Sequence, residues 1–278
     1  MKLDSPQISA LIHLAISEDI GPGDITTNSI VKTNQRSQAV IRVKQDGIIA
    51  GLEIAKLVVE NFDKNAKWDF AKSDGNYCIN GDAVAKIEAE KRALLSSERI
   101  VLNFLQRISG IATKTNLFIK QLEGLNTKIL DTRKTVPGHR ILDKYGIAVG
   151  GGTNHRMGLF DMVMIKDNHI KIAGGIKNAV DLVKKERNKS IKIEVEASSI
   201  EQVIEALNSD IDIIMLDNMD IKEMKEAVKI CKGKVLTEAS GNVSLENIRT
   251  IAETGVDYIS VGALTHSVQA LDISMKVI

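Results

Sequence analysis

The residues of this chain that are best suited to chemistry are concentrated between Asp131 and Lys171. These 41 residues hold seven Lys or Arg, three of the five His, six Gly and four Asp, but no Glu. Arg holds a carboxylate or a phosphate through two parallel hydrogen bonds, and Lys adds a compact positive charge. Glycine-rich backbone brings N–H groups close to an anion. A solvated basic loop is the usual explanation for such a stretch, but here the basic residues alternate with glycines and apolar runs. The segment therefore predicts a site for a multiply charged anion.

Two histidines of this segment need separate interpretation. His155 stands in Asn-His-Arg directly after a run of three glycines, and we expect it to be functional. For His169, in Asp-Asn-His-Ile, a structural hydrogen bond is the better interpretation. The metalloprotease pattern H-E-x-x-H and the nucleophile pattern G-x-S-x-G are both absent from the sequence.

Composition narrows the class of protein. The chain has 278 residues, of which 44% are hydrophobic and 26% charged, as expected of a globular enzyme with one large or two smaller domains. A formal net charge of +1 and only 3% aromatic residues argue against binding of nucleic acid or of membrane surfaces. The two cysteines are far apart and form no C-x-x-C, which favours a reducing compartment. With no signal-peptide pattern and no long apolar run, we expect a cytoplasmic protein.

A regular alternation of short apolar runs and helical patterns begins after Thr127. The predicted strands are 128–130, 162–165, 191–195, 211–216, 234–236 and 258–261, and the predicted helices are 177–186, 200–207, 221–231 and 245–253. Capping boxes are expected at Ser199-x-x-Gln202 and at Asp220-x-x-Glu223. Strand–helix units at this spacing predict a parallel sheet, and their number favours a barrel. An open doubly wound sheet is the alternative, although its glycine-rich dinucleotide fingerprint is missing.

The first hundred residues have a different pattern, typical of a small α+β unit. It has predicted strands at 38–44, 47–51 and towards the end of 79–90, with a helix at 53–61. A long helical pattern over 94–122 follows, with an interruption at Ser109-Gly110, and it connects the two regions.

Polar residues follow the apolar runs of the second region. They are Asp131, Lys166, Glu196, Asp217, Glu238 and Ser260 with Gly262. A barrel enzyme carries its chemistry at the C-terminal ends of its strands, so these side chains should converge. Carboxylates there suit Mg²⁺ or a ribose, and the bases suit phosphate and carboxylate groups.

Seven blocks of the sequence carry a family resemblance. They are ERIVLNFLQRISGIAT (98–113), DTRKTVPGHR (131–140), GGGTNHRMGLFDMVMIKDNHI (150–170), EVEASS (194–199), MLDNM (215–219), EASGNV (238–243) and SVGALTHS (260–267). In this order, together with EDIGPGDITT near the start, they resemble the quinolinate phosphoribosyltransferases over essentially the whole chain.

The resemblance implies a fold and a reaction. The fold is an α/β sandwich over 1–108, to which 265–278 returns, and an incomplete α/β barrel over 109–264, with six or seven strands, of the type II phosphoribosyltransferase kind. The reaction joins quinolinate and phosphoribosyl diphosphate, with Mg²⁺, to give nicotinate mononucleotide, diphosphate and CO₂. The resemblance also implies a homodimer, with a hexamer as the alternative, in which Arg99 reaches the neighbouring subunit's site.

Substrate-binding residues are implied in the same way. They are Arg99, Thr132, Arg133, Lys134, His155, Arg156, Lys166, Glu196, Asp217, Ser240, Gly241, Asn242, Val261, Gly262 and Ala263. Among them Lys134, Lys166, Glu196 and Asp217 are the implied catalytic residues, and Glu196 and Asp217 are the implied metal ligands.

Two other functions remain open from the residues alone. One is a barrel aldolase or decarboxylase that forms a Schiff base on Lys134 or Lys166. The other is a phosphate-ligand-binding barrel without catalysis, against which the full set of bases and acids argues.

Overall fold

A computed structural model of the protein describes residues 5–186 and 190–278. The chain forms two compact units. The first unit contains Met1–Asn116, Thr135–Gly151 and Ser267–Ile278, and the second contains Leu117–Lys134 and Gly152–His266. In the described residues no helix is both long and apolar enough to cross a membrane.

The helices and strands include those that the sequence patterns predict and several that they do not, among them the helices Arg140–Val149 and Asp167–Ala173 and the strand Ile273–Val277. In the first part of the chain they are α1 (Pro6–Ile20), α2 (Ile25–Ile30), β1 (Arg36–Val43), β2 (Gly47–Ile48), α3 (Leu52–Glu60), β3 (Lys67–Phe70), β4 (Tyr77–Cys78), β5 (Ala83–Glu90) and α4 (Lys91–Gln121). The remainder comprises β6 (Lys128–Leu130), α5 (Arg140–Val149), β7 (Val163–Ile165), α6 (Asp167–Ala173), α7 (Ile176–Glu186), β8 (Ile193–Ala197), α8 (Ile200–Leu207), β9 (Ile213–Asp217), α9 (Ile221–Cys231), β10 (Leu236–Ser240), α10 (Ile248–Ala252), β11 (Tyr258–Ser260), α11 (Ala263–His266) and β12 (Ile273–Val277).

An antiparallel sheet in the order β12–β1–β5–β3 organises the first unit, so the last strand of the chain pairs with the first. In β5 the buried residues Ala85, Ile87 and Ala89 alternate with the polar residues Lys86 and Glu88. This period of two turns one face of the sheet towards the core, where helices α1, α3 and α4 bury their apolar residues.

Helix α4 continues without interruption through Ser109 and Gly110, so the interruption predicted there was wrong. The Ser109 hydroxyl accepts from the N–H of Ala50 at 2.9 Å and donates to the Ala50 carbonyl at 3.1 Å. A Cβ at Gly110 would collide with the carbonyl of Gln269. Ser109 and Gly110 are small, so the backbone at Ala50 and Gln269 can approach the helix closely. This close approach does not require a break in the helix.

The segment Thr135–Gly151 packs in the first unit, which differs from the expected boundaries of 109–264 for the barrel. Leu142 lies in the core of that unit. The Asp143 carboxylate accepts from both Nε and Nη2 of Arg107, at 2.9 and 2.8 Å. The hydroxyl of Tyr145 donates to Asp74 Oδ2 at 2.6 Å. The residues that form these contacts are far apart in the sequence. The spacing of apolar residues therefore cannot show which unit contains the segment.

Six parallel strands in the order β6–β11–β10–β9–β8–β7 form the sheet of the second unit. Strand β7 pairs with β8, β8 with β9, β9 with β10 and β10 with β11. Strand β6 pairs with β11. This order continues around the sheet in one direction, as in a barrel, and β6 and β7 remain its two edges. The predicted incomplete barrel is confirmed, and the doubly wound alternative is wrong.

Two strands of the barrel lie further along the chain than predicted. Strands β8 and β10 end at Ala197 and Ser240, not at 195 and 236. Polar residues of these two strands face the inside of the barrel. The apolar runs in the sequence therefore covered only the first part of each strand. Glu196 and Glu238 therefore lie within strands, which corrects their prediction as residues that follow strand ends.

Helices α8 and α9 have the predicted bounds. At α9 the capping box is present, since Asp220 accepts from the N–H of Glu223 and Glu223 accepts from that of Asp220. At α8 Ser199 accepts from the N–H of Gln202, but Gln202 accepts from the N–H of Ser198. The first helical turn of each element is thereby stabilised.

Candidate active site

The C-terminal halves of the barrel strands surround a cavity of about 300 Å³. Its lining residues come from the ends of all six strands and the segments after β6 and before β7. They are Asp131, Thr132, Arg133, Lys134, His155, Arg156, Met164, Lys166, Glu196, Met215, Asp217, Glu238, Ser240 and Ser260. Four cationic side chains and four acidic ones thus share one cavity.

Strand register explains why the acidic side chains meet. Met215 of β9 is the direct neighbour of Glu196 on one side and of Glu238 on the other. Asp217 is likewise the neighbour of Ser240. Residues two apart on one strand share a face, so these five side chains all project towards the cavity.

Nine of the fifteen predicted substrate-binding residues line this cavity. They are Thr132, Arg133, Lys134, His155, Arg156, Lys166, Glu196, Asp217 and Ser240. Five others lie in the segments directly after β10 and β11 and outside the lining: Gly241, Asn242, Val261, Gly262 and Ala263. Arg99 lies on α4 in the first unit, where it is exposed.

Lys166 and Glu196 form an ion pair across β7 and β8. The Nζ atom of Lys166 donates to Glu196 Oε2 at 2.6 Å, and the Glu196 side chain is only 14% exposed. His169 Nδ1 accepts from the backbone N–H of Lys166 at 3.0 Å. This bond caps the start of α6, which agrees with the structural interpretation of His169.

Arg133 and Arg156 place two positive charges close together at the cavity. Arg156 is held by a hydrogen bond from Nη1 to the carbonyl of Met162 at 3.1 Å. Burial, and then the charge of Arg133, lower the pKa of Arg156 below its ordinary value. Like charges repel, so an anion bound between these guanidinium groups would be strongly favoured.

Glycine at position 262 leaves room for the side chains of His266 and Lys134. A Cβ there would lie 3.1 Å from Cδ2 of His266 and 3.4 Å from Cδ of Lys134. The Lys134 side chain therefore runs past the segment after β11, whereas Arg133 interacts with Arg156. The two neighbouring bases therefore have different neighbours, Gly262 for Lys134 and Arg156 for Arg133.

Three acidic residues outside the predicted substrate-binding residues contact His155, and two of them, Asp131 and Glu238, were expected among the polar residues at the strand ends. Asp131 is fully buried, and its Oδ1 accepts from the backbone N–H of His155 at 2.8 Å. Glu194 is also fully buried, and its Oε2 lies 3.1 Å from His155 Nε2, with Glu238 Oε2 at 3.4 Å on the same nitrogen. Glu194 was missed, although its position two residues before Glu196 puts it on the same face of β8.

The protons of this cluster can be assigned from its hydrogen bonds. Burial lowers the pKa of His155, but Glu194 and Glu238 raise it overall, to about 9. With one ring proton on Nε2, a second proton on the His155 ring would have to be on Nδ1. That atom already accepts a hydrogen bond from the backbone N–H of Arg156 at 2.7 Å. Burial, and with it repulsion from Glu238, raises the pKa of Glu194 to about 7 despite the opposing effect of His155, so this carboxyl retains a proton at higher pH than an ordinary glutamate.

His155, Glu194 and Glu238 also have ligand atoms close enough together to hold a metal ion. A histidine that binds metal through Nε2 usually donates a proton from Nδ1. Here Nδ1 accepts a hydrogen bond, so Nε2 carries the ring proton and faces the carboxylates. This arrangement fits a shared proton and does not fit a metal site.

The raised pKa of Glu194 should make stability depend on pH. The folded state retains a proton that the unfolded chain releases above pH 4.5, so stability should fall as pH rises from 4.5 to about 7. Glu194→Gln stays neutral, and we expect its Tm between pH 5 and pH 8 to fall by roughly 5 °C less than that of the unsubstituted protein. Calorimetry on both proteins, with Glu226→Gln on the exposed face of α9 as control, tests this. Parallel Tm profiles for Glu194→Gln and the unsubstituted protein would contradict it.

Comparisons with known proteins identify the family of this chain. The family "Quinolinate phosphoribosyl transferase, N-terminal domain" matches residues 24–109, and its "C-terminal domain" matches residues 111–276. The chain is 44% identical to "Nicotinate-nucleotide pyrophosphorylase [carboxylating], chloroplastic" from Arabidopsis thaliana, with 97% of this chain and 82% of the relative covered. It is 43% identical to "Probable nicotinate-nucleotide pyrophosphorylase [carboxylating]" from Bacillus subtilis, with 98% and 93% covered.

A solved structure extends the similarity to the fold. The crystal structure of NadC from Streptococcus pyogenes superposes with a TM-score of 0.96 at 36% identity, covering 99% of this chain and 98% of that one. Both domains of the family, in order, thus account for nearly the whole chain. We conclude that this chain belongs to the quinolinate phosphoribosyltransferase family.

Proposed function

We propose that the protein transfers the phosphoribosyl group of phosphoribosyl diphosphate to quinolinate with loss of CO₂. The products are nicotinate mononucleotide and diphosphate, which makes the protein a pentosyltransferase of de novo NAD biosynthesis. The family and the names of its relatives support this reaction. The observation that carries it is the cavity in which four basic side chains, Arg133, Lys134, Arg156 and Lys166, face the carboxylates Glu196 and Asp217.

The charges suit the two substrates. Quinolinate has two carboxylates and the co-substrate has three phosphate groups, so several fixed cations are needed to bring them together. Bond breaking at the anomeric carbon builds positive charge, which Glu196 and Asp217 are placed to stabilise. The departing diphosphate gains negative charge, which Lys134 and Lys166 offset. In the decarboxylation the bond between C2 and its carboxylate breaks and CO₂ leaves. The positively charged pyridinium ring stabilises the electron pair left at C2, and C2 takes up a proton from water.

Mg²⁺ fits the carboxylates of this cavity. Glu196 and Asp217 line the cavity and offer hard oxygen ligands, which is the donor type that Mg²⁺ prefers. We propose that these two residues hold the ion together with the diphosphate group. When bound, it would neutralise charge on the leaving group.

The pairing of Lys166 argues against the Schiff-base alternative. An amine that attacks a carbonyl must be neutral, whereas the ammonium group of Lys166 lies 2.6 Å from a carboxylate oxygen of Glu196.

One assay tests the proposed reaction directly. The protein is incubated with quinolinate, phosphoribosyl diphosphate and Mg²⁺, and nicotinate mononucleotide and CO₂ are measured in equal amounts. Borohydride treatment with a carbonyl substrate is the parallel test of the Schiff base. The absence of nicotinate mononucleotide from folded protein would reject the proposal.

Arg133 and Lys134 should have separable effects. We expect Arg133→Ala to raise the KM for quinolinate by roughly tenfold or more, because a carboxylate loses a two-pronged partner. Lys134→Ala should instead lower kcat by a similar factor, because its charge acts on the leaving diphosphate. Steady-state kinetics of both variants check this. If each variant changed kcat and KM by the same factors, the two roles would not be distinct.

We also propose a homodimer in which Arg99 of one subunit completes the quinolinate site of the other. The family resemblance and the exposure of Arg99 on α4 support this arrangement. A two-fold interface would create both sites at once. For location we propose the cytoplasm, since Cys78 and Cys231 are free thiols, as is usual in reducing compartments.

A further inference from the structure

The residue after β9, Asn218, connects the ends of two barrel strands. Its backbone is left-handed, with a φ of 55°. Its Nδ2 atom donates to Asp217 Oδ2 at 2.8 Å, and its Oδ1 accepts from Asn242 Nδ2 at 3.3 Å. Its backbone N–H donates to the carbonyl of Ser240 at 2.9 Å. Both ends of the amide are therefore used, one at the end of β9 and one beyond β10.

The turn after β10 is shaped around this amide. Gly241 has a φ of 106°, and a Cβ there would lie 2.7 Å from Cγ of Asn218. Asn242 is also left-handed, with a φ of 48°, and its carbonyl accepts from Nδ2 of Asn247 at 2.9 Å. Only glycine leaves room at position 241, so the turn and the Asn218 side chain fit each other.

We infer that Asn218 is a positioning residue for Asp217. This inference rests on the proposed function, in which the Asp217 carboxylate stabilises the ribose and holds Mg²⁺. The hydrogen bond to Oδ2 fixes the plane of the carboxylate before substrate binds and leaves Oδ1 for the ligand. A carboxylate held in this way needs no reorientation during the reaction.

A simpler explanation is that the backbone alone requires asparagine. Asn adopts positive φ more readily than most residues, so the side chain could be incidental. Asn218→Gly separates the two explanations, because glycine adopts this φ without strain but has no amide. If only the backbone matters, the variant should be as active as the unsubstituted protein.

The test measures kinetics and binding on the whole protein. For Asn218→Gly we expect kcat to fall about 10- to 100-fold, with the KM for quinolinate within about twofold. Its affinity for phosphoribosyl diphosphate with Mg²⁺, measured by calorimetry without quinolinate, should fall about tenfold. Asn34→Gly is the matched control, since Asn34 is also left-handed, with a φ of 61°, but lies in the first unit.

A second variant removes the donor without changing the shape. Asn218→Asp also tolerates positive φ, but it cannot donate to Asp217 and adds a like charge, so kcat should fall at least as much as in Asn218→Gly. Unchanged kcat in either variant would overturn the inference. Failure of the proposed function would look different, since the unsubstituted protein would then form no nicotinate mononucleotide.

Discussion

Replacing quinolinate with nicotinate should lower kcat/KM by a factor on the order of 100 or more. Nicotinate lacks one of the two carboxylates, so a cation of the cavity that quinolinate pairs would lose that partner. An unpaired buried charge costs about 3 kcal/mol, which corresponds to roughly a 150-fold change in rate. Arg156 is such a group, because burial and the neighbouring charge of Arg133 already disfavour its charged form.

Kinetics with both acids as substrates test this discrimination. Arg133→Ala is the informative variant, because its cavity has one cation fewer. The ratio of kcat/KM for quinolinate to kcat/KM for nicotinate should then fall towards one. Arg36→Ala, at an exposed position in β1 of the first unit, should keep the original ratio. Similar kcat/KM values for nicotinate and quinolinate in the unsubstituted protein would refute the explanation.

Mixing two inactive variants should restore activity if Arg99 acts across a dimer. We expect Arg99→Ala and Arg133→Ala each to retain no more than about 1% of the activity at low quinolinate, because each removes a cation that pairs a carboxylate. In a mixed dimer one site would carry both substitutions and the other neither. Random exchange should therefore restore about a quarter of the original activity.

The mixing experiment needs proof that subunits exchange. Differently tagged subunits, copurified after exchange, report the fraction of mixed dimers. The control is a mixture of Arg133→Ala with Lys166→Ala, two residues of one cavity, which should stay inactive because neither site of that dimer is intact. If mixed dimers of the Arg99 and Arg133 variants form and stay inactive, Arg99 acts within its own subunit.

The elements that local pattern controls were predicted closely. Helices α8 and α9 matched at both ends because their caps and apolar spacing lie within a few consecutive residues. Strand β10 was misplaced because Glu238 and Ser240 replace apolar residues on its inner face. In a barrel enzyme the functional strand ends are polar, so hydropathy is least informative where the site lies.

The residues of the candidate site also divide into those that the sequence predicted and those that it did not. Residue types and motif order indicated the bases and acids that line the cavity, including Arg133, Lys166 and Glu196. Asp131 was predicted at a strand end, but Glu194 was missed, because it acts through a contact with His155 that no local spacing records.

By itself the sequence determined the alternation of strands and helices, the family and the charge of the site, because these depend on residue type and spacing. Only the tertiary structure decided which polar groups share a proton, which side chain orients Asp217, and that Thr135–Gly151 packs in the first unit. The contacts of His155 join residues that are far apart in the sequence, such as His155 and Glu238, whose Nε2 and Oε2 atoms lie 3.4 Å apart. Their partners are set by the register of parallel strands, which exists only once the chain has folded.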